Sequence, residues 1–282
     1  MTLFLIEPKC SPGMVLDVSG AEKNNGTNIQ IWNLGEGIHQ YFKFKNSGDA
    51  YFFIEACHCS GKVIDVRQSE VKNCTNIHLW EKNGSDAQKF KKVHVGNGYY
   101  TFKSKLDDNF CIDTQFSGKE KGTNIWLYEC NDTDAQKFKL INRLEGSIQY
   151  AQIYSQKRNP KYKDYGDNNC TNFCSQCLVA GGISYDNIWR NESPAFINTL
   201  QLKDYFSYNK GVKFLESPNI NDIDRGDIIY CQGTTDKFDQ VMFVIGKDGD
   251  NVIFCGNINN RYNDKIHINS ITGVLKTSDL LI

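Results

Sequence analysis

Three cysteines lie close together in the segment NNCTNFCSQC, residues 168–177. Cys170, Cys174 and Cys177 have the spacing C-x3-C-x2-C. Thiolates spaced in this way can hold an iron–sulfur cluster or a zinc ion, and one activated thiolate can act as a nucleophile. Buried cysteines can also simply fill a hydrophobic core. These alternatives correspond to a redox protein, a metal-binding protein, a hydrolase or a structural segment.

A helical reading of this segment favours the nucleophile. CTNFCSQCLVAGG, residues 170–182, is predicted to form a helix that ends at its two glycines. Cys174 and Cys177 then face the core, and Cys170 lies in the first turn, where unpaired N–H groups and the helix dipole favour a thiolate. No second zinc-ligand pair follows, and too few residues remain for the large barrel that holds a cluster of this spacing. We therefore expect no metal and no cofactor.

The elements around this helix predict an α+β domain. IQYAQIYSQKRNP, residues 148–160, reads as a helix that ends at Pro160. Short strands bounded by Gly, Asp or Asn follow, in the segments GDIIYC, VMFVIG, NVIFCG and KIHINSI. A helical lobe followed by an antiparallel sheet is typical of this class.

The residues around Cys170 carry a family resemblance. RNPKYKDYGDNNCTNFCSQCLVAGG, residues 158–182, is followed by Trp189 and by ESPAF. This pattern resembles amidase domains related to the NlpC-type cell-wall peptidases, which are papain-like, and the resemblance covers about residues 148–264. It implies that Cys170 is the nucleophile. The catalytic histidine of the family, in a D-H-V motif, falls on Gln240 of DQVMFVIG, and a second polar position falls on Asn257 of CGNINNR.

The glutamine at position 240 departs from the chemistry of that family. An amide has no titratable nitrogen and cannot accept the thiol proton, whereas Asn257 could still orient a base. His267 is the one histidine in the second half of the chain, and we interpret it as an ordinary surface or sheet residue. The missing base favours a degenerate domain that kept its fold, and the alternative is an active cysteine peptidase or amidase directed to glycosylated substrates.

A threefold repeat fills the first half of the chain. Asp17, Asp65 and Asp113, in VLDVSG, VIDVRQ and CIDTQF, are separated by 48 residues each. The segments TNIQIW, TNIHLW and TNIWLY keep the same step, as do HQYF and two copies of AQKF. Each copy alternates polar and apolar residues between turn residues, which predicts short strands that must close on one another. Phe42, Phe90 and Phe138 are expected to fill the shared centre.

These motifs resemble the ricin-type lectins, which are β-trefoils, over about residues 3–142. In that family an Asp accepts hydrogen bonds from sugar hydroxyls and an aromatic ring stacks on the sugar. The resemblance therefore implies three carbohydrate-binding sites: Asp17 with Gln30 and Trp32, Asp65 with His78 and Trp80, and Asp113 with Tyr128. Phenylalanine replaces the tryptophan that usually closes each repeat.

Further positions follow from the same resemblance. The candidate set includes Gln40, Gln88 and Gln136, which we interpret as residues that satisfy turn backbone groups, and His39, which stands where the family often has a sugar-binding Asn. The first site has the most complete set of candidates. Cys111 and Cys130 have the spacing of a disulfide found in such lectins.

Length and charge set the remaining expectations. The 282 residues predict two domains: an all-β β-trefoil of three 48-residue repeats at 1–142 and an α+β papain-like, NlpC-type domain at 149–282, with a linker at 143–148. A net charge of −1 gives no general attraction for nucleic acid, and no apolar run could span a membrane. The start of the chain does not resemble a signal peptide, which suggests a cytoplasmic protein or a processed secreted form. The expected partners are glycans or glycoproteins, with a peptide or amide ligand at the second domain.

Overall fold

The computed structural model describes residues 2–35, 37–232 and 238–281. The chain divides into two compact units, Met1–Asn142 and Arg143–Ile282. The linker predicted at 143–148 is wrong in one respect, because these residues form the first half of a helix, Arg143–Tyr154. Ser147 lies on its buried face and donates from Oγ to the carbonyl of Cys177 at 2.8 Å, so packing holds this segment in a helix. Within the described residues, no helix is long and apolar enough to cross a membrane.

The first unit consists of twelve short strands and brief 3-10 turns. The strands are β1 (Phe4–Pro8), β2 (Met14–Val18), β3 (Ile29–Asn33), β4 (Phe42–Asn46), β5 (Phe52–Ala56), β6 (Lys62–Val66), β7 (Thr75–Glu81), β8 (Phe90–His94), β9 (Tyr99–Ser104), β10 (Phe110–Thr114), β11 (Ile125–Glu129) and β12 (Phe138–Asn142).

Antiparallel pairing joins ten of these strands in the order β10-β11-β7-β6-β5-β4-β1-β12-β9-β8, with extra pairings of β10 with β9 and of β5 with β8. Strands β2 and β3 form a separate hairpin. The first and last strands pair along their whole length, from Phe4 opposite Asn142 to Pro8 opposite Phe138. The resulting unit is mostly strand, as the alternating sequence pattern predicts.

Aromatic side chains fill the interior of the first unit. Phe42, Phe90 and Phe138 are each at most 1% exposed and belong to one hydrophobic cluster, which agrees with their predicted central position. Burying a side chain of this size stabilises the folded state by roughly 1.5–3 kcal/mol, because its apolar surface is removed from water. The strands around this cluster are therefore held mainly by their inward-facing residues.

The three glutamines Gln40, Gln88 and Gln136 are buried and bond to turn backbone. The Nε2 of each donates to a strand-end carbonyl, and the Oε1 accepts from backbone N–H groups five residues earlier in the chain, at Gly35, Asn83 and Asn131. Buried amides satisfied in this way fix the turns before β4, β8 and β12. Their structural interpretation from the sequence is thus supported.

The second unit combines a helical lobe with a six-stranded sheet. The helices are α1 (Arg143–Tyr154), α2 (Cys170–Ala180), α3 (Pro194–Ile197) and α4 (Thr199–Asp204), and a π-helical turn (Tyr205–Asn209) follows α4. The strands are β13 (Phe214–Glu216), β14 (Ile228–Gln232), β15 (Phe238–Asp248), β16 (Asn251–Gly256), β17 (Arg261–His267) and β18 (Ile271–Leu275), in the sheet order β13-β18-β14-β15-β16-β17.

Two predicted boundaries in the second unit differ from the structure. The helix expected over residues 148–160 lies earlier in the chain, in α1. The segment KIHINSI does not form one strand, because β17 ends at His267 and a 3-10 turn precedes β18. The His267 imidazole accepts from the backbone N–H of Asn269 at 3.2 Å and thereby stabilises that turn.

Candidate functional sites

A small pocket in the second unit brings the three predicted catalytic positions together. Its volume is about 30 Å³. It is lined by Cys170, Gln240, Val241, Met242, Gly256, Asn257, Ile258, Asn259 and Arg261. Cys170 comes from the start of α2 and Gln240 from β15, while Asn257 directly follows β16 and Arg261 is the first residue of β17.

Cys170 is partly buried at the first position of α2. The preceding residue, Asn169, is 1% exposed, and its Oδ1 accepts from the backbone N–H of Tyr165 at 3.1 Å and from Asn172 Nδ2 at 2.9 Å. These bonds fix the approach of the chain to the helix. The Sγ of Cys170 lies 3.8 Å from the hydroxyl of Thr171.

The other two cysteines of the cluster are core residues. Cys174 and Cys177 are fully buried, and burial raises the pKa of both thiols well above its usual value. They therefore remain protonated at neutral pH and carry no nucleophilic chemistry. Their predicted place in the core is confirmed.

Gln240 and Asn257, the two positions that the sequence analysis predicts beside the nucleophile, both provide amide groups. Gln240 is exposed and pairs in the sheet with Cys231. Asn257 is 3% exposed, and its Oδ1 has no hydrogen-bond partner in the described part of the chain. Neither side chain can take a proton from a thiol near neutral pH.

Arg261 also lines this pocket, although no sequence motif marked it. Asn259 and Asn260 have φ values of 57° and 52°, and asparagine tolerates this left-handed conformation better than most residues. The turn they form returns the chain so that Arg261 pairs with Gly256, directly before Asn257. The charge of Arg261 also acts on Cys231 in β14: burial raises the pKa of the Cys231 thiol to about 12, while Arg261 acts to lower it.

His267 does not belong to this site. It is exposed and lies opposite Asn251, at the far end of the β16–β17 hairpin from the Arg261–Gly256 pair. Six residues of strand separate it from Arg261, which corresponds to roughly 20 Å. The possibility that His267 replaces the missing base therefore fails, whereas its interpretation as an ordinary sheet residue holds.

In the first unit, a cavity of about 560 Å³ lies at the second predicted sugar site. It is lined by Gly26, Asp65, Arg67, Gln68, Ser69, Asn76, His78, Trp80, Asn83 and Ser85. The Nε2 of His78 lies 3.2 Å from Asp65 Oδ1, and the imidazole stacks on the Trp80 ring with centroids 5.2 Å apart. A carboxylate and an aromatic surface therefore share one concave site.

The first predicted sugar site is more crowded than the sequence suggests. Asp17 is 3% exposed, with one oxygen 3.2 Å from Gln30 Nε2 and the other 3.0 Å from Gln40 Nε2 and 3.1 Å from His39 Nε2. The Trp32 ring faces the ammonium of Lys121 at 5.3 Å. Both oxygens of Asp17 are thus engaged by protein groups. The first site has the most candidate residues, but it is not the most accessible of the three.

The third predicted site contains a residue that the sequence analysis missed. Trp126 donates from Nε1 to Asp113 Oδ1 at 2.7 Å and stacks on Tyr128 with centroids 5.8 Å apart. Phe116 packs edge-on against Trp126 and is 84% exposed. Burial raises the pKa of Asp113, although hydrogen bonds from Trp126 and Gln136 act to lower it. The sequence could have indicated Trp126, because it stands 13 residues after Asp113, just as Gln30 stands 13 residues after Asp17.

Cys111 and Cys130, the predicted disulfide pair, are both free thiols in this structure. Cys111 is fully buried, and burial together with a hydrogen bond to Cys130 raises its pKa far above the usual range. The two sulfur atoms are therefore neighbours that are not bonded to each other. The disulfide remains a prediction for oxidising conditions.

Two family models match this chain. The model described as "Putative amidase domain" matches residues 142–277. The model described as "Ricin-type beta-trefoil lectin domain-like" matches residues 4–80 and 38–128.

Two curated proteins of Bacillus subtilis (strain 168) are similar in sequence. Uncharacterized protein YhbB is 33% identical over a match that covers 38% of this chain and 38% of its own length. Uncharacterized protein YjcM is 33% identical, over 30% of this chain and 21% of its own length. The chain thus spans well under half of the length of either relative.

Solved structures resemble the chain in part or in whole. The designed threefold-symmetric protein ThreeFoil is 26% identical, with a TM-score of 0.47, and the match covers 50% of this chain and 98% of ThreeFoil. The Rhizoctonia solani agglutinin is 23% identical, with a TM-score of 0.45, over 50% of this chain and 94% of its own. A mosquitocidal holotoxin is 12% identical, with a TM-score of 0.48, over 98% of this chain and 34% of its own.

Proposed function

We propose that this chain, in which a ricin-type β-trefoil lectin-like domain precedes an amidase-type domain, is a glycan-binding protein whose second domain binds a peptide or amide without hydrolysing it. This proposal rests on the observation that Cys170 and Gln240 line the same pocket. The thiol is retained where a nucleophile is expected, and an amide stands where the general base is expected.

The chemistry of the pocket supports a loss of catalysis. Among the described residues that line it, none is a histidine or a carboxylate, and a guanidinium such as that of Arg261 offers hydrogen-bond donors and no acceptor. General-base help contributes about 10²–10⁴-fold to such reactions. Without it, the resting thiol at Cys170 must lose its proton to solvent.

The fold of the second unit supports a papain-like, NlpC-type assignment. A helix that begins with the cysteine packs against an antiparallel sheet, and the neighbouring polar residues come from β15 and from the end of β16. Papain-like enzymes arrange their nucleophile and its partners in this manner. We place the domain boundary after residue 142, with the second domain at 143–282.

Glycan binding rests on the cavity beside Asp65. A pyranose has a C–H face that packs on an aromatic ring and hydroxyls that donate to a carboxylate, and Trp80 and Asp65 offer both groups in one place. Trp126, Tyr128 and Asp113 offer the same combination at the third site. The proposed partners are therefore glycans or glycoproteins, and the net charge of −1 argues against nucleic acid.

The second candidate function is an active cysteine peptidase or amidase that the lectin-like domain directs to glycosylated substrates. The position of Cys170 at the start of an eleven-residue helix favours it, because papain-like enzymes place their nucleophile in this way.

Two measurements on the intact protein test the proposal. A glycan array should show binding that Asp65→Ala and Trp80→Ala reduce, and a complete lack of glycan binding would refute the lectin assignment. Amide and peptide libraries should show no Cys170-dependent burst of product. A burst that disappears in Cys170→Ala would establish the second candidate instead.

A further inference from the structure

The amide oxygen of Asn257 is an unused acceptor inside the Cys170 pocket. The residue is 3% exposed and lines the pocket, yet its Oδ1 finds no donor among the described residues. A buried polar atom left without a partner costs about 1–3 kcal/mol. Such an atom indicates that a donor from outside the chain completes the site.

Arg261 supplies the second part of the site, a positive charge. Its Cζ lies 5.8 Å from the centre of the Phe254 ring, so the guanidinium packs on an aromatic neighbour while lining the pocket. No carboxylate within the described part of the chain forms an ion pair with it. A planar guanidinium offers two parallel N–H groups, which match a carboxylate.

Helix α2 adds a third contribution to the site, which is again a positive electrostatic potential. It begins at Cys170, on the wall of the pocket, and runs for eleven residues. The amino-terminal end of a helix carries unpaired N–H groups and a partial positive charge, so it also favours an anion. The electrostatics of this pocket thus suit a negatively charged group beside a neutral donor.

We propose that this pocket binds the carboxyl-terminal end of a peptide or of an N-acylated amino acid. Arg261 holds the carboxylate, and Asn257 Oδ1 accepts the N–H of the same terminal residue. Both groups are attached to one Cα atom, so they can reach neighbouring partners at once. A volume of about 30 Å³ has room for a carboxylate group but not for a sugar ring, so the rest of the ligand lies outside the pocket. This proposal rests on the proposed function, in which the pocket binds without turnover.

The test compares N-acetyl-alanyl-alanine with its carboxyl-terminal amide on the full-length protein. Calorimetry should show that the acid binds about tenfold or more tightly than the amide, since only the acid can use the charge of Arg261. The acid should also slow the alkylation of Cys170 by iodoacetamide, which locates the binding in this pocket.

Variants separate the two contacts. Arg261→Gln should weaken binding of the acid to the level of the amide and leave the amide unchanged, whereas Asn257→Leu should weaken both probes because both carry the N–H. Arg261→Lys should keep part of the preference for the acid. Arg190→Gln removes an exposed arginine that does not line the pocket, and it should change nothing.

Equal affinity for the two probes, or a preference for the acid that survives Arg261→Gln, would overturn the proposal. So would the absence of acid binding at millimolar concentration by protein that melts normally. Hydrolysis of amides by the unmodified protein would instead refute the proposed function alone, because binding of the acid can still be measured in Cys170→Ala, which lacks the nucleophile and cannot hydrolyse the probe.

Discussion

Gln240 and Cys170 line the same pocket, although one belongs to a strand of the sheet and the other begins a helix. The family resemblance predicts a nucleophile at the first position of the helix and a base at the strand position, where this chain has an amide. This relationship defines the simplest experiment on the second domain.

Gln240→His should create or strongly raise amidase activity. An imidazole at this position can accept the Cys170 proton, and general-base catalysis is worth about 10²–10⁴-fold. The measurement is the rate of hydrolysis of amide and peptide libraries, with the double variant Cys170→Ala, Gln240→His as the control. Equal rates for the unmodified protein and Gln240→His would show that more than the base is missing.

Iodoacetamide should label Cys170 well before Cys174 or Cys177. Cys170 is partly exposed at a helix start, whereas the other two thiols are fully buried and their pKa values are raised. Mass mapping over time gives the order, and the exposed Cys74 serves as an internal standard for an accessible thiol. Early labelling of Cys177 would mean that α2 does not pack as described.

Trp80→Ala should weaken glycan binding more than Trp32→Ala. Trp80 borders the cavity beside Asp65, while the carboxylate oxygens of Asp17 near Trp32 are already engaged by protein groups. We expect a loss of about 1–3 kcal/mol for Trp80. Calorimetry with a glycan from the array measures the affinity of both variants. A larger loss in Trp32→Ala would indicate that the first site is the main glycan site.

Glycan binding at the third site should be lost at a higher pH than it would be if Asp113 had the pKa of an ordinary aspartate. Burial raises the pKa of Asp113, so the folded chain protonates it above the usual value of about 3.9. The ionised carboxylate can accept a sugar hydroxyl on the lone pairs that Trp126 and Gln136 leave free, so affinity falls as the pH drops through this raised pKa. By the same linkage, the ionisation of Asp113 costs folding stability as the pH rises.

The background variant Asp17→Ala, Asp65→Ala isolates this site for the pH titration. Asp113→Asn provides the control, because its amide still accepts a hydrogen bond but does not titrate in this range. Its residual binding should be independent of pH, and a titration that persists in this variant would assign the effect to another group.

Lys276→Met should destabilise the second unit by about 3–5 kcal/mol. The Lys276 ammonium lies 2.5 Å from Asp227, a fully buried carboxylate whose pKa is raised by burial and lowered by this lysine. Removing the lysine leaves a buried charge without its main partner. Urea unfolding measures the change, and Lys265→Met, which breaks the exposed pair with Asp248, should cost at most about 1 kcal/mol.

The sequence was most informative where residues recur at a fixed step. The 48-residue spacing of Asp17, Asp65 and Asp113 predicted strands with equivalent surroundings, and each of these residues does pair across a hairpin with the residue 13 positions later. The residue at that later position differs, as Gln30, His78 or Trp126, and the further groups that contact each Asp differ as well. A count of motifs could not show this, because openness depends on how neighbouring side chains pack.

Arg261 illustrates what local patterns leave undetermined. The motif around Cys170 predicted the helix and its buried cysteines, and the family resemblance placed Gln240 and Asn257 beside it. No motif includes Arg261, whose place in the pocket follows from the left-handed turn at Asn259 and Asn260 and from the register of β16 with β17. Register between strands is a tertiary property, set by which faces become buried.

The pairing of β1 with β12 has a consequence for the synthesis of the protein. β1 is the first strand of its unit to leave the ribosome, and its main partner ends at Asn142, so this contact forms only after the rest of the unit has been translated. Pairing between such distant segments is slow, and an unpaired edge is open to wrong partners. The unit therefore closes just as α1 emerges, and a ribosome that stalls before residue 138 should leave a nascent chain with β1 exposed to chaperones and to aggregation.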